Sequence, residues 1–143
     1  MYMTFEEKRI AIEGKFLTDF DSSVIPVQFG NNSGLIKGTK TIQQDKAKEF
    51  VRLSILDLDN TPTRIGNSGC ATDRVIGQVV INIFVRENTG EKRINEIVDL
   101  IFPIFNKYSD QNILFRNTVV TGLPQESGWH QKVLSIEYQW DKC

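Results

Sequence analysis

Residues 74–86 read Arg74-Val-Ile-Gly-Gln-Val-Val-Ile-Asn-Ile-Phe-Val-Arg86. Alternate positions from Val75 to Val85 are almost all apolar, which is typical of a β-strand because successive side chains point to opposite faces of the sheet. The intervening positions hold Gln78 and Asn82 among further apolar residues. Since both faces are partly apolar, the pattern predicts a strand in the interior of a sheet.

An amphipathic helix is predicted after this strand, beyond a turn at Thr89-Gly90. Its apolar residues recur at helical spacing and form one stripe that must pack on the sheet. Pro103 predicts a kink or a restart of this helix, because proline cannot donate the backbone hydrogen bond of the preceding turn. The stripe consists of Ile94, Ile97, Val98, Ile101, Phe102 and Phe105.

A first helix is predicted to begin near Thr4. The sequence Thr4-Phe-Glu-Glu7 fits a capping box, in which the hydroxyl and the carboxylate each pair with a backbone amide at the helix start. One apolar stripe then continues to about residue 20. Its members are Phe5, Ile12, Phe16, Leu17 and Phe20.

Four further segments have the composition or alternation of strands. The first contains Pro26, which indicates an edge strand or the start of a strand. The last is predicted to place Leu134, Ile136, Tyr138 and Trp140 on its inner face. The segments are 24–29, 49–56, 112–120 and a strand that begins near Trp129. The order α-β-β-β-α-β-β predicts an α+β fold in which a mainly antiparallel sheet packs against two helices.

Two segments lack this periodicity. Residues 57–73 are rich in Asp, Asn, Thr, Pro, Ser and Gly, which predicts a long loop that projects from the sheet. Residues 33–48 carry few apolar residues and are predicted to form a poorly ordered excursion on the surface. Residues 57–73 are the segment that we expect to reach a neighbouring molecule.

The composition is that of an ordinary globular protein. The chain has 143 residues, 40% of them apolar and 24% charged, which predicts one domain over residues 1–143. A net charge of -1 gives no overall field that would attract nucleic acid, so DNA binding would have to be local. The two cysteines do not require a disulfide framework, and neither a signal peptide nor a membrane span is apparent. We therefore expect an intracellular protein without a membrane partner.

A short segment, Leu53-Ser-Ile-Leu-Asp-Leu-Asp-Asn-Thr61, resembles the first motif of haloacid-dehalogenase-type phosphohydrolases. That resemblance implies that Asp57 would attack phosphorus and Asp59 would handle the proton, with Mg²⁺ neutralising the phosphate. No later lysine or carboxylate pair completes the motif, and the strand order does not predict a parallel sheet. A strand end that leads into a loop explains the same residues.

Few other residues in the sequence suit metal binding or nucleophilic catalysis. His130 is the only histidine, so a histidine-based metal site or catalytic triad is not predicted, and an exposed or capping histidine is favoured. Cys70 lies in a glycine-rich segment that lacks the lysine of a phosphate-binding loop. Trp140 continues the apolar alternation and is assigned to the core, whereas Trp129 is the better interface residue. We predict no enzyme, no catalytic residue, no cofactor and no metal.

A more extensive resemblance covers most of the chain. Hydrophobic alternation and a few Gly, Asn and Trp positions are similar to those of the tail terminator proteins of long-tailed bacteriophages, the lambda-type minor tail proteins. The matching segments are Val27-Gln-Phe-Gly-Asn31, Phe50-Val-Arg-Leu-Ser-Ile-Leu56, Gly77-Gln-Val-Val-Ile-Asn-Ile-Phe-Val85, Thr89-Gly90, Ile101-Phe102, Phe105, Gly128-Trp129 and Val133-Leu-Ser-Ile-Glu-Tyr138. Residues 33–48 have no clear counterpart.

This resemblance implies a subunit that forms a ring, expected to be a hexamer, on the end of the tail tube. The ring stops tube polymerisation and provides the surface to which the head connector docks; DNA would only pass through its lumen. The implied locations are the virion neck and, during assembly, the host cytoplasm. Another head–tail joining or tail-completion subunit is the alternative.

Five residues are predicted at partner interfaces. Arg64 and Arg74 lie near the ends of the predicted loop 57–73, which we expect to contact an adjacent subunit or the tube. Gln78 and Asn82 are expected to face a wet lumen or an interface. Trp129 completes the set as an aromatic anchor.

Overall fold

The computed structural model describes residues 4–30, 34–43, 47–64, 72–87, 90–109, 113–126 and 128–142. Two helices and seven strands follow one another in a mixed order. They are α1 (Phe5–Asp19), β1 (Val27–Phe29), β2 (Leu35–Lys37), β3 (Lys40–Ile42), β4 (Glu49–Arg64), β5 (Thr72–Arg86), α2 (Glu91–Phe105), β6 (Ile113–Glu126) and β7 (Trp129–Lys142).

The strands form one sheet in the order β3-β2-β1-β4-β5-β7-β6. Every described neighbouring pair is antiparallel except β1 and β4, which run parallel over Val27–Phe29. The predicted α+β fold with a mainly antiparallel sheet is therefore confirmed. Strand β5 lies between β4 and β7, as its two partly apolar faces predict. Pro26 precedes β1 directly, and its carbonyl accepts a hydrogen bond from Val51 N at 3.0 Å, so the strand start is the correct alternative.

Both helices pack on the same face of the sheet. The main core joins Ile12 and Phe16 of α1 to the apolar stripe of α2 and to one face of β4, β5 and β7. On β5 this face is the row Val75, Val79, Ile81, Ile83 and Val85, and on β7 it is Leu134, Ile136, Tyr138 and Trp140, all buried. The predicted inner face of the last strand is thus confirmed. We call this the helix-covered face.

Helix α1 begins with the predicted capping box. Thr4 Oγ1 accepts from Glu7 N, and the Glu7 carboxylate accepts from Thr4 N, each at 3.1 Å. The predicted stripe is wrong at Phe5 and Leu17, which are 48% and 41% exposed. Lys8 instead joins Ile12 and Phe16 on the buried side of the helix, because a carboxylate on β4 pairs with its ammonium group.

Helix α2 starts after Gly90, whose φ of 91° lies in the left-handed region that favours glycine. The predicted residues Ile94, Ile97, Ile101 and Phe105 are buried, and Ile104 joins them. Pro103 lies inside the last turn of one continuous helix, so the predicted restart is wrong.

The prediction that residues 33–48 are poorly ordered is wrong for the described part of this segment. Strands β2 and β3 form a small antiparallel hairpin there. Leu35 is buried against Phe50, Phe84 and Trp129, and Ala47 packs in the same second cluster. These few apolar side chains suffice because they cover an aromatic group on the sheet face opposite the helices. Residues 31–33 and 44–46 lie outside the described part of the chain.

The predicted projecting loop at 57–73 is also corrected. Residues 57–64 continue β4 and residues 72–73 begin β5, and the two strands pair from Asp57 with Gly77 to Arg64 with Thr72. Two register irregularities interrupt the ladder. Turn-forming residues are tolerated here because they lie beside the irregularities at 57/59 and 62/64, where the regular ladder is already interrupted. Residues 65–71, including Cys70, lie outside the described residues.

Candidate functional site

Gln78 and Asn82 lie on the sheet face opposite the helices. Asn82 lies opposite Arg52 of β4, Gln78 lies opposite Glu137 of β7, and every member of the row between them is at least partly exposed. The central row runs Ser54, Val80, Ser135 and Val119 across β4, β5, β7 and β6. No described helix covers this row, and we call the surface around it the open face. The structure therefore brings two of the predicted interface residues together on one accessible surface.

The arginines predicted at interfaces are placed differently. Arg74 is on the same side of β5 as Gln78, and its Nε lies 3.1 Å from Oδ1 of Asp141 on β7. Both side chains are more than a third exposed, so this ion pair contributes little to stability. Arg64 is the last residue of β4 and is paired with Thr72. The Arg64 side chain lies outside the described part of the structure.

Trp129 is not the exposed anchor that the sequence predicts. Only 7% of it is exposed. Its ring meets Phe50 edge-on at a centroid distance of 5.0 Å, and the Arg86 guanidinium lies 3.9 Å from its centroid. The prediction is wrong because the β2–β3 segment covers this end of the open face. Trp140 is buried in the main core, as predicted.

Strand β6 forms one edge of the sheet. Tyr108 and Ser109 pair with its first residues, through the Phe115 N to Tyr108 O hydrogen bond of 3.0 Å and the Ser109–Leu114 bridge. From residue 116 to residue 126, β7 is its only partner among the described strands. A bulge interrupts the ladder at Asn117, where φ is 57°. We call residues 116–126 the β6 edge.

The β6 edge exposes several large apolar side chains. Val119 is 54% exposed, Val120 40% and Leu123 37%. Long edge strands with apolar side chains are templates for pairing with another strand, and natural monomers usually protect them. The sequence alone does not reveal this feature, because Val119-Val120 is compatible with an interior strand too.

A second segment without a described strand partner on one side lies on β4. Beyond Leu53, no described strand pairs with the side of β4 that faces β1. We call residues 54–64 the β4 edge. Its described part exposes Leu56 by 46% and Leu58 by 58%. The sheet thus has a free apolar segment on each of its two sides.

The acidic motif lies within the β4 edge, and Asp57 is fully engaged. Lys8 Nζ donates to both of its carboxylate oxygens at 2.7 Å. The Tyr138 hydroxyl also donates to this carboxylate. Burial, and then the neighbouring carboxylate, raise the pKa of Tyr138 far above its usual value, so the hydroxyl stays protonated as a donor. Asp59 has its side chain outside the described part.

Gly77 makes this arrangement possible. A Cβ at this position would lie 2.1 Å from the Leu56 carbonyl oxygen and 2.6 Å from the Tyr138 hydroxyl. Only glycine allows so close an approach.

Beside the cluster is an open cavity of about 300 Å³, lined by Phe5, Glu6, Lys8, Arg9, Ile55 and Asp57. The motif therefore sits on an antiparallel strand and pairs with a helix, instead of ending a parallel strand.

His130 joins the start of β7 to the start of α2. Its Nε2 lies 2.6 Å from Glu91 Oε1, and Lys132 Nζ lies 3.2 Å from the other oxygen. Hydrogen bonds from Lys132 and then His130 lower the pKa of Glu91. The prediction of an exposed or capping histidine is wrong, because the His130 side chain is 17% exposed and contacts a side-chain carboxylate instead of the backbone at the start of α2.

No three His, Cys, Asp or Glu side chains in the described ranges lie close enough to hold a metal ion. No helix in the same ranges is long and apolar enough to cross a membrane.

Comparison with known proteins supports the fold. No protein-family model matches the chain. No curated protein matches it either. A solved structure that carries no functional name is similar over 96% of both chains, with a TM-score of 0.66 and 15% sequence identity. At that identity the likeness shows a shared α+β fold and nothing about activity.

Proposed function

We propose that this chain is a structural protein of a bacteriophage tail, a terminator whose copies form a ring on the end of the tail tube. The ring ends tube polymerisation and offers a surface to the head connector. This proposal places the protein in the neck of the virion, and in the host cytoplasm during assembly. It depends on the sequence resemblance to tail terminators and on the surfaces described above.

The observation that carries the proposal is the pair of free edges. A ring needs a heterologous contact, in which one patch of a subunit binds a different patch of the next. The β4 edge and the β6 edge are two different patches on opposite sides of one sheet. Both carry exposed leucine or valine side chains. A ring subunit can cover both edges by contact with its two neighbours.

The environment of Asp57 favours a structural role over phosphoryl transfer. A nucleophilic carboxylate must be open to substrate, with a metal ion to neutralise the phosphate. Asp57 is held by a buried lysine and by a tyrosine hydroxyl. The ion pair fastens α1 to the sheet, which is a sufficient reason for an aspartate at this position.

Electron microscopy of particles from the phage that encodes this chain tests the proposal. We expect a suppressed gene to yield tubes of variable length without heads, and added protein to restore uniform tails. A gold-labelled chain should lie at the head-proximal end of the tube. Normal tube length with unjoined heads would support a head–tail joining subunit instead. Normal particles would contradict both roles.

The Asp57→Asn variant distinguishes the terminator role from the phosphohydrolase alternative. If the chain is a terminator, the variant restores tails whenever it is folded, and neither form hydrolyses a phosphomonoester with Mg²⁺. Hydrolysis by the natural chain that disappears in the variant, while circular dichroism shows the variant folded, would favour the phosphohydrolase.

A further inference from the structure

We infer that neighbouring copies join edge to edge, with the β6 edge of one copy adding to the β4 edge of the next, so that one continuous sheet runs around the ring. This inference rests on the proposed ring and names the surface that builds it. The two free segments have equal length, residues 54–64 and 116–126. Backbone pairing along such segments satisfies N–H and C=O groups that otherwise only water can reach, except at Pro62 and Pro124, which have no N–H to donate.

The strand directions fit a cyclic ring. Strand β5 is antiparallel to β4, β7 to β5, and β6 to β7. Strands β4 and β6 therefore run in opposite directions within one copy. All copies in a cyclic ring share one orientation, so β6 of one copy meets β4 of the next in antiparallel fashion. An odd number of long strands would have forced a parallel joint.

The free segments lie toward opposite ends of the sheet. The middle of the β4 edge is level with Ile76 and Gln139, whereas Thr121 in the β6 edge is level with Val133. Joining them shifts each copy along the strand direction relative to the one before. Closing a sheet into a barrel requires such a stagger, because the strands must tilt relative to the axis.

The joint also covers exposed apolar surface. Leu56 and Leu123 both lie on the open face, since Leu56 pairs with Gln78 and Leu123 with Gln131, which pairs with Phe84. After joining, the leucines of adjacent copies share one side of the continuous sheet. Six copies with four long strands each would close at a diameter of roughly 45–50 Å, for a strand spacing of about 4.8 Å and a tilt of about 40°.

Cysteine cross-linking tests the joint. In a background of Cys70→Ser and Cys143→Ser, the double variant Leu56→Cys/Leu123→Cys is treated with a short bis-maleimide and run on a denaturing gel. We expect a ladder that ends at the ring size, whereas either single variant gives no species above a dimer. The control pair Leu100→Cys/Leu123→Cys should give no ladder, because Leu100 is 55% exposed on α2 at the opposite face.

A charged substitution on the β6 edge provides a second test of the joint. Val119→Lys should reduce the ring population at least tenfold by light scattering, in solution or on tail tubes, with an unchanged melting temperature of the monomer. Ile10→Lys is the matched control, since Ile10 is 56% exposed on α1. A ring that forms normally in Val119→Lys, together with no ladder from Leu56→Cys/Leu123→Cys, overturns this joint and leaves the terminator role intact. A natural chain that forms no ring even on tubes overturns both.

Discussion

Lys8 of helix α1 lies 2.7 Å from both carboxylate oxygens of Asp57 on strand β4. The lysine is 5% exposed and the aspartate 34%, so the two partners differ in their access to water. This difference predicts that removing one charge has a larger effect than removing the other.

Asp57→Asn leaves an ammonium group buried without its counter-charge. We expect it to lower the free energy of unfolding by about 3–5 kcal/mol. Lys8→Met leaves a carboxylate that water can still reach, so its effect should be smaller. The double variant should be more stable than the sum of the two single effects predicts. Urea denaturation of all four proteins measures this coupling, and simple additivity would contradict the described ion pair.

Gly77→Ala should be among the most destabilising small substitutions in the chain. The new methyl group would lie 2.1 Å from a backbone carbonyl oxygen, which cannot move without disturbing the ladder. Overpacking of this kind costs about 1–3 kcal/mol, and a rigid neighbour favours the upper end. Gly122→Ala is the control, since no atom lies within 4 Å of its added Cβ. Equal unfolding free energies for the two variants would show that Gly77 is not under steric constraint.

Trp129→Ala should act on stability, not selectively on assembly. The ring packs with Phe50, Phe84 and Arg86 in the second cluster. Loss of such a buried aromatic side chain costs about 3–5 kcal/mol. Circular dichroism in urea measures the loss. A variant of unchanged stability that fails to form rings would restore Trp129 to the role of interface anchor.

The lowered pKa of Glu91 determines in which direction its contribution to the free energy of unfolding changes with pH. Lys132 and His130 lower its pKa in the folded protein below the usual 4.5. The stabilisation is therefore fully present above pH 4.5 and is lost as the pH falls through the lower, folded-state pKa. We expect the natural chain and Glu91→Gln to differ in unfolding free energy at pH 6 and to converge as the pH falls below the folded-state pKa of Glu91. A difference that grows on acidification would reverse the assigned sign.

The sequence is sufficient to predict features that depend on local pattern. The capping box at Thr4, the alternation of β5 and the stripe of α2 are each set by residues close together in the chain. The burial of Lys8 is different, because it depends on Asp57, which lies far away in sequence. A lysine among apolar residues is ordinarily expected on the solvent side of a helix, so the local pattern predicts Phe5 instead of Lys8 in the buried stripe.

The candidate interface was predictable only in part. Gln78 and Asn82 alternate with apolar residues, and this pattern places them correctly on one face. The free edges follow from which strands pair with which, a long-range property that no local pattern in 54–64 or 116–126 contains. The prediction of an exposed Trp129 is wrong because its burial also depends on long-range contacts. The residues that cover it, Leu35 and Ala47, come from a segment with little periodicity.

The mass of the assembly on tail tubes tests the central claim most directly. Native mass spectrometry of the protein at increasing concentration, and of the cap released from tubes, counts the copies. We predict a closed ring of six chains of 16.3 kDa each, formed in solution or only on the tube. A chain that stays monomeric at every concentration and leaves tube ends uncapped would contradict the account.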